Sequence, residues 1–275
     1  MGRGLTGAES VLRSRYECKY LVSPEIADEI RRFLQPFMAP DTYARRHAGY
    51  RYPICSLYFD TLGLHLYRQT AAGEKNRFKL RVRSYSDDQQ TPVFLEVKRR
   101  VNDVILKRRA RLPRESARAM LEKGSSPWVD GGAGNLLVDL ESFNWLVTAA
   151  AARPFLRVRY IREAYEALGG DPLRITLDTD IAWLPTSTAD FNMGAEGWIP
   201  TPVPGTVLEI KFTDRYPAWV GEMIRAFSLQ RQSVAKYVLS VDSFFAESGD
   251  RVSELGRSPG PPSGWDGRPA WAREV

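Results

Sequence analysis

The stretch R-F-K-L-R-V-R-S-Y, Arg77 to Tyr85, sorts into two faces when every second residue is read. Arg77, Lys79, Arg81 and Arg83 fall on one side, and Phe78, Leu80 and Val82 on the other. Side chains alternate across a strand, so this stretch predicts a β-strand with one apolar and one cationic face. The pattern recurs outward from it. In Phe94 to Lys98, Glu96 and Lys98 oppose Leu95 and Val97; in Ile105 to Arg111, Lys107, Arg109 and Arg111 share a parity. In Leu173 to Asp180, Arg174, Thr176, Asp178 and Asp180 oppose Leu173, Ile175 and Leu177, and the pairs Glu209/Lys211 and Glu17/Lys19 each share a face. One charged strand face is ordinarily the solvated side of a sheet. Solubility does not require long rows of Arg and Lys, however, and a sheet curled with these faces inward would make a cationic tunnel for a polyanion.

Helices are placed by caps and period. Ser23-Pro24-Glu25 offers an N-cap, a first-turn proline and an early acid ahead of Ile26, Ile30, Phe33 and Leu34. Further helices are expected over Pro113 to Lys123, Leu136 to Ala152 and Tyr216 to Leu229. Their apolar stripes need a surface to cover, and the apolar faces of the strands supply it. Runs of strands around isolated helices favour an α+β fold with a mainly antiparallel sheet over a regular βαβ repeat. One domain is expected over residues 11–246, between a Gly-rich disordered N-terminus, 1–10, and a Pro/Gly/Ser-rich disordered tail, 247–275.

Composition sets the outer limits. The chain has 275 residues, 43% hydrophobic and 26% charged, as in an ordinary globular protein. Its 39 Lys+Arg against 33 Asp+Glu give a net charge of +6 and a pI near 9.3, which fits an acidic partner. Cys18 and Cys55 lie in strand-like runs without metal-ligand or disulfide-framework spacing, so a reducing cytoplasm is the expected location. Neither a secretory h-region nor a membrane-spanning apolar run is read.

Several site types are excluded. There is no G-x-x-x-x-G-K-[ST], and Gly131-Gly132-Ala133-Gly134 reads as a loop with no strand before it. His47 and His65 cannot assemble a zinc-type cluster and read as packing or surface residues. No G-x-S-x-G elbow appears, and Cys18 reads as a small buried side chain. What remains is the Arg/Lys rows with Glu17, Glu96, Asp178 and Glu209. Phosphoryl transfer needs no more than this, since cations neutralise the transferring group and a carboxylate-held divalent metal bridges its oxygens.

Nine short motifs occur in an order that resembles the VTC-domain polyphosphate polymerases of the triphosphate tunnel metalloenzyme (CYTH-like) superfamily. They are R-Y-E-C-K-Y (15–20), S-L-Y-F-D-T (56–61), K-L-R-V-R-S-Y (79–85), L-E-V-K-R (95–99), L-K-R-R-A-R-L (106–112), L-R-V-R-Y-I-R-E-A-Y (156–165), L-R-I-T-L-D-T (173–179), L-E-I-K-F (208–212) and S-V-A-K-Y (233–237). The resemblance implies an antiparallel eight-stranded β-barrel tunnel with a cationic interior, flanked by helices. It implies ATP and inorganic polyphosphate or triphosphate as partners, a divalent metal (Mn²⁺ or Mg²⁺), and no nucleic acid. Carried over motif by motif, phosphate would be bound by Lys19, Arg81, Arg83, Lys98, Lys107, Arg109, Tyr160, Arg162, Arg174 and Lys236. Of these, Arg81, Arg83, Lys98, Arg162 and Lys236 would act in the transfer. Glu209 resembles the metal-binding glutamate, with Glu17 and Glu96 as alternatives; without the resemblance, Glu209 and Lys211 read as an exposed strand pair.

Two readings stay open. Alternation sets Arg157 and Arg159 against Val158, Tyr160 and Arg162; with Tyr160 and Arg162 inward, Arg157 or Arg159 becomes a surface residue, with a bulge as one way to accommodate it. The E-x-E-x-K signature of the superfamily's hydrolases and cyclases has Arg15 in place of its first glutamate, leaving Glu17 and Lys19. That favours a polymerase over an inorganic triphosphatase, which would need Glu17 to order a water. A noncatalytic polyphosphate- or nucleic-acid-binding module is the third possibility.

Overall fold

The computed structural model describes residues 15–102, 104–123, 134–169 and 172–248. The expectations for the two tails and for Gly131, Gly132 and Ala133 of the loop lie outside them. The strands are β1 (Arg15–Val22), β2 (Met38–Pro40), β3 (Arg51–Asp60), β4 (Arg77–Ser84), β5 (Val93–Val101), β6 (Val104–Leu112), β7 (Arg153–Ala167), β8 (Arg174–Pro185), β9 (Ile199–Pro200) and β10 (Thr206–Thr213). The α-helices are α1 (Pro24–Leu34), α2 (His65–Ala71), α3 (Arg114–Lys123), α4 (Gly134–Ala149), α5 (Ala218–Ala226) and α6 (Lys236–Ser248). Eight strands follow one another as β1-β10-β8-β7-β3-β4-β5-β6, with short β2 beside β7 and β9 beside β8. The fold is α+β, and β1–β10, β3–β4, β4–β5 and β5–β6 all pair antiparallel. Among the described residues no helix is long and apolar enough to cross a membrane.

The chain gathers into two compact units. Among the described residues, the first takes in 15–50, 163–177 and 204–233; the second takes in 51–162, 178–203 and 234–248. In the first unit, α1 begins where the sequence places it, with Ser23 Oγ accepting from Ile26 N at 3.3 Å and Pro24 in the first turn. Its buried Ala27, Ile30 and Leu34 pack with Tyr20, Val22, Leu208, Ile210, Val220 and Met223. Helix α5 is shorter than expected because Pro217 sits at its N-cap and Ser228, with a positive φ of 48°, ends it.

In the second unit Phe78, Leu80 and Val82 of β4 and Leu95 and Val97 of β5 are all buried. They pack with Ala117 and Met120 of α3 and with Leu140, Phe143 and Leu146 of α4. Each such side chain withdraws apolar area worth about 1.5–3 kcal/mol. Helices therefore cover the apolar strand face, and the cationic row is left on the other. Two helices, α2 and α6, have no counterpart in the sequence reading. The residue before α2 is Leu64, a left-handed residue (φ 53°) with no capping oxygen, and the cap comes from further back. Thr61 Oγ1 accepts from His65 N at 2.9 Å, and the Asp60 carboxylate accepts from Leu66 N and Tyr67 N at 2.9 and 2.8 Å.

Gly205 leads into β10 with φ of +116°, and a Cβ there would stand 2.1 Å from the carbonyl oxygen of Val22. Both the conformation and the space exclude an L side chain. Gly205→Ala should lower unfolding stability by more than about 1 kcal/mol, read as a reduced urea midpoint. An unchanged midpoint would show that this turn yields freely.

Candidate phosphate-binding site

Register builds the site in the second unit. Arg81 on β4 stands opposite Tyr58 on β3 and Glu96 on β5, and Glu96 stands opposite Arg109 on β6. Directly opposed residues share a face, so the four form one rung. The next rungs are Ser56 with Arg83 on one side and Lys79-Lys98-Lys107 on the other.

Glu96 is the centre. It is 1% exposed, and its carboxylate meets Arg81 at 2.6 Å, Lys107 at 2.9 Å, Arg109 at 3.3 Å and Arg83 at 3.9 Å. Burial alone would raise its pKa, but Arg81, Arg83 and Lys107 more than offset that and hold the carboxyl far below the usual range. Lys107 is pulled below the ordinary ammonium value, first by burial and further by Arg81 and Arg83, against the attraction of Glu96.

A second focus adjoins it. Arg162 donates to both oxygens of Asp178, at 2.6 and 2.7 Å, and Lys236, at the start of α6, reaches Asp178 at 2.6 Å. Asp178 is wholly buried. The Tyr160 ring lies under both cations, 5.3 Å from the Arg162 guanidinium carbon and 4.9 Å from Lys236 Nζ, while its hydroxyl accepts from Arg83 at 3.3 Å. Arg81, Arg83, Lys107, Arg109, Tyr160, Arg162 and Lys236, expected from sequence, thus join through Glu96 and Asp178 into one network, with Lys98 in register beside Lys107.

The first unit holds the other expected residues. Across β1 and β10, Glu17 stands opposite Lys211 and Lys19 opposite Glu209. Lys19 lies 3.1 Å from Glu17 and 3.5 Å from Glu209, and Lys211 lies 2.7 Å from Glu209. The result is a checkerboard of alternating charge. Glu209 is 5% exposed, so the exposed-pair alternative is corrected. Arg174 ion-pairs with Asp41 and, at 2.8 Å, with Glu166.

The surface reading is also corrected for Arg157, while Arg159 is half-buried. Arg157 is buried, donating to Asp190 at 2.5 Å and to the Asn192 carbonyl at 3.0 Å. Both guanidiniums lie over the Trp198 ring, at 5.4 and 4.5 Å. They hold the segment after β8 against the strand face opposite Tyr160, so plain alternation accounts for both pairs. Residues the sequence reading did not assign to the site are Ser56 and Tyr58, and Asp178, which it counted among the remaining carboxylates, received no specific role. The signal for the first two was present, since they share the inward parity of S-L-Y-F-D-T.

Among the described residues no three or more His, Cys, Asp or Glu side chains converge to hold a metal. Glu96, an alternative ligand by sequence, is ringed by four cations whose field repels one. Glu17 and Glu209 stand among two lysines, Lys19 and Lys211, in place of four cations, and Mg²⁺-type ions commonly take one or two carboxylates and complete their shell with substrate phosphates and water.

The chain belongs to the VTC domain family, whose model matches residues 14–245. No curated protein sequence matches it. Among solved structures it is similar to a candidate adenylate cyclase from Bacillus halodurans, at 16% identity and TM-score 0.44, covering 81% of this chain and 95% of that one. A candidate adenylate cyclase from Vibrio parahaemolyticus matches at 14% identity and TM-score 0.44, covering 83% and 98%.

Removing the Glu96 charge should leave four cations facing one another. Glu96→Gln is expected to cost about 3–5 kcal/mol, with a lower Tm that added tripolyphosphate partly restores. The folded-state pKa of Glu96 is depressed, so its contribution is complete above the ordinary glutamate range and disappears only as the pH falls below it. The acid limb of a pH–stability curve should therefore flatten in the variant. An equal Tm and an equal acid limb would show that Glu96 does not hold this cluster together.

Proposed function

We propose that the chain is a polyphosphate polymerase, transferring the γ-phosphoryl group of ATP to the end of an inorganic polyphosphate chain. The observation that carries this reading is the network of Arg81, Arg83, Lys107, Arg109, Arg162 and Lys236 around two buried carboxylates, in a chain of the VTC domain family. An oxygen of the terminal acceptor phosphate forms the new P–O bond, the bond from the γ-phosphorus to the bridging oxygen breaks, and ADP leaves. The acceptor oxygen is already ionised at neutral pH, so no strong general base is needed.

The residues bind, orient and neutralise. Arg81 and Arg83 present planar forks that suit phosphate oxygens, and Glu96 and Tyr160 fix their direction. Arg162 and Lys236 add charge from the Asp178 focus. A divalent metal, for which Glu209 is the proposed ligand, would supply further neutralisation of phosphate oxygens. A triphosphatase needs an ordered carboxylate for water, and its candidate, Glu17, has Arg15 where the hydrolase signature carries its first glutamate. That missing acid favours the polymerase.

Incubation with ATP, Mn²⁺ and a tripolyphosphate primer should give ADP and acid-insoluble polymer that rise together. Stoichiometric orthophosphate without polymer would transfer the assignment to the triphosphatase. Arg83→Ala should reduce turnover at least about tenfold. Glu209→Gln should reduce turnover while metal-free tripolyphosphate binding survives, and an unchanged metal dependence would remove Glu209 as the ligand.

A further inference from the structure

The motif S-L-Y-F-D-T (56–61) takes in the second half of β3 and the residue after it, and plays no part in the transfer as described. Its residues Ser56, Tyr58 and Asp60 share one parity, and each makes a contact behind the phosphate-binding cations. Ser56 Oγ accepts from Arg83 Nε at 3.4 Å, and Tyr58 Oη accepts from an Arg81 terminal nitrogen at 3.3 Å. The Tyr58 ring stacks on Tyr237 of α6, with centroids 4.5 Å apart and planes 18° from parallel. Tyr237 Oη donates to Asp60 at 2.7 Å, and that same carboxylate caps α2. Lys236 immediately precedes Tyr237 in the first turn of α6.

We propose that Tyr58 and Tyr237 are positioning residues for phosphate: Tyr58 aims Arg81, and Tyr237, clamped between Tyr58 and Asp60, sets the insertion depth of Lys236. The inference rests on the polymerase reading for its consequence in turnover, but not for its consequence in binding. Tyr58 is 5% exposed and Tyr237 2%, so neither ring has room to drift. A hydroxyl bonded to a guanidinium, and an aromatic pair locked by a carboxylate, are the kind of support that keeps charged side chains in one geometry.

The electrostatics give a readout that a purely structural role would not move. The groups facing Tyr58 are Arg81 and Arg83 from β4 and Lys236 and Tyr237 from α6. Burial alone would push its phenol up, but Arg81, Arg83 and Lys236 together draw it below the ordinary value. As pH rises through that ionisation a phenolate forms beside Arg81 and offsets its charge. Affinity for tripolyphosphate then falls. Lys107 and Tyr85, whose ionisations are also lowered, add to the same alkaline fall.

The experiment is tripolyphosphate binding to the full chain by calorimetry across neutral to alkaline pH. Tyr58→Phe keeps the ring on Tyr237 and removes the hydroxyl, so the alkaline loss of affinity should move to higher pH. A profile superimposable on that of the unsubstituted chain would overturn the role of Tyr58. Tyr237→Phe keeps the stack and deletes the bond to Asp60. It should weaken binding about tenfold, with no further loss when combined with Lys236→Ala. Additive losses in that pair would overturn the role of Tyr237. Failure of the polymerase reading would look different: the unsubstituted chain would make no polymer while both binding results stood.

Discussion

The Glu96 carboxylate is the interaction on which the site depends. Like charges directly opposed across strands are destabilising, and β4, β5 and β6 bring Arg81, Arg83, Lys107 and Arg109 onto one face. A buried anion in the middle converts that repulsion into four attractive contacts. Asp178 does the same for Arg162 and Lys236. The cations are directed before any ligand arrives, so little reorganisation would remain for a phosphate-bearing ligand. The apolar burial that offsets the cost of assembling them lies on the opposite strand face, under α3 and α4.

The two units treat charge differently. On β1 and β10 acids and bases alternate one for one, Glu17 against Lys211 and Lys19 against Glu209. On β4 to β6 cations exceed carboxylates on the shared face. In the first arrangement each carboxylate has a lysine partner, and in the second the excess positive charge suits an anion. Charge-balanced rows and cation-rich rows therefore map onto separate stretches of the chain.

Much of this was legible because strand period is so regular. Alternation alone identified the faces of β4, β5 and β6, and the ordered motifs pointed to the VTC domain family. Alternation cannot say what balances a row of arginines, so the burial of Glu96 and Asp178 and their saturation by cations were not read. Helix α2 escaped because its cap is Asp60, distant from its first turn, and no capping residue stands immediately before it. Arg157 or Arg159 reads as a surface residue because the segment that covers them, ending at Trp198, carries no periodic pattern to announce its contact with β7.

The central claim is that the pre-paired cations form a built site for a linear polyphosphate and are more than a salt-bridged structural patch. Its most direct test is the Tm of the full chain against tripolyphosphate concentration at fixed ionic strength, with sulfate in parallel. A ligand that binds only the folded state raises Tm steadily with the logarithm of its concentration. The account predicts that rise with tripolyphosphate, far exceeding the effect of sulfate. No rise, or an equal rise with sulfate, would contradict it.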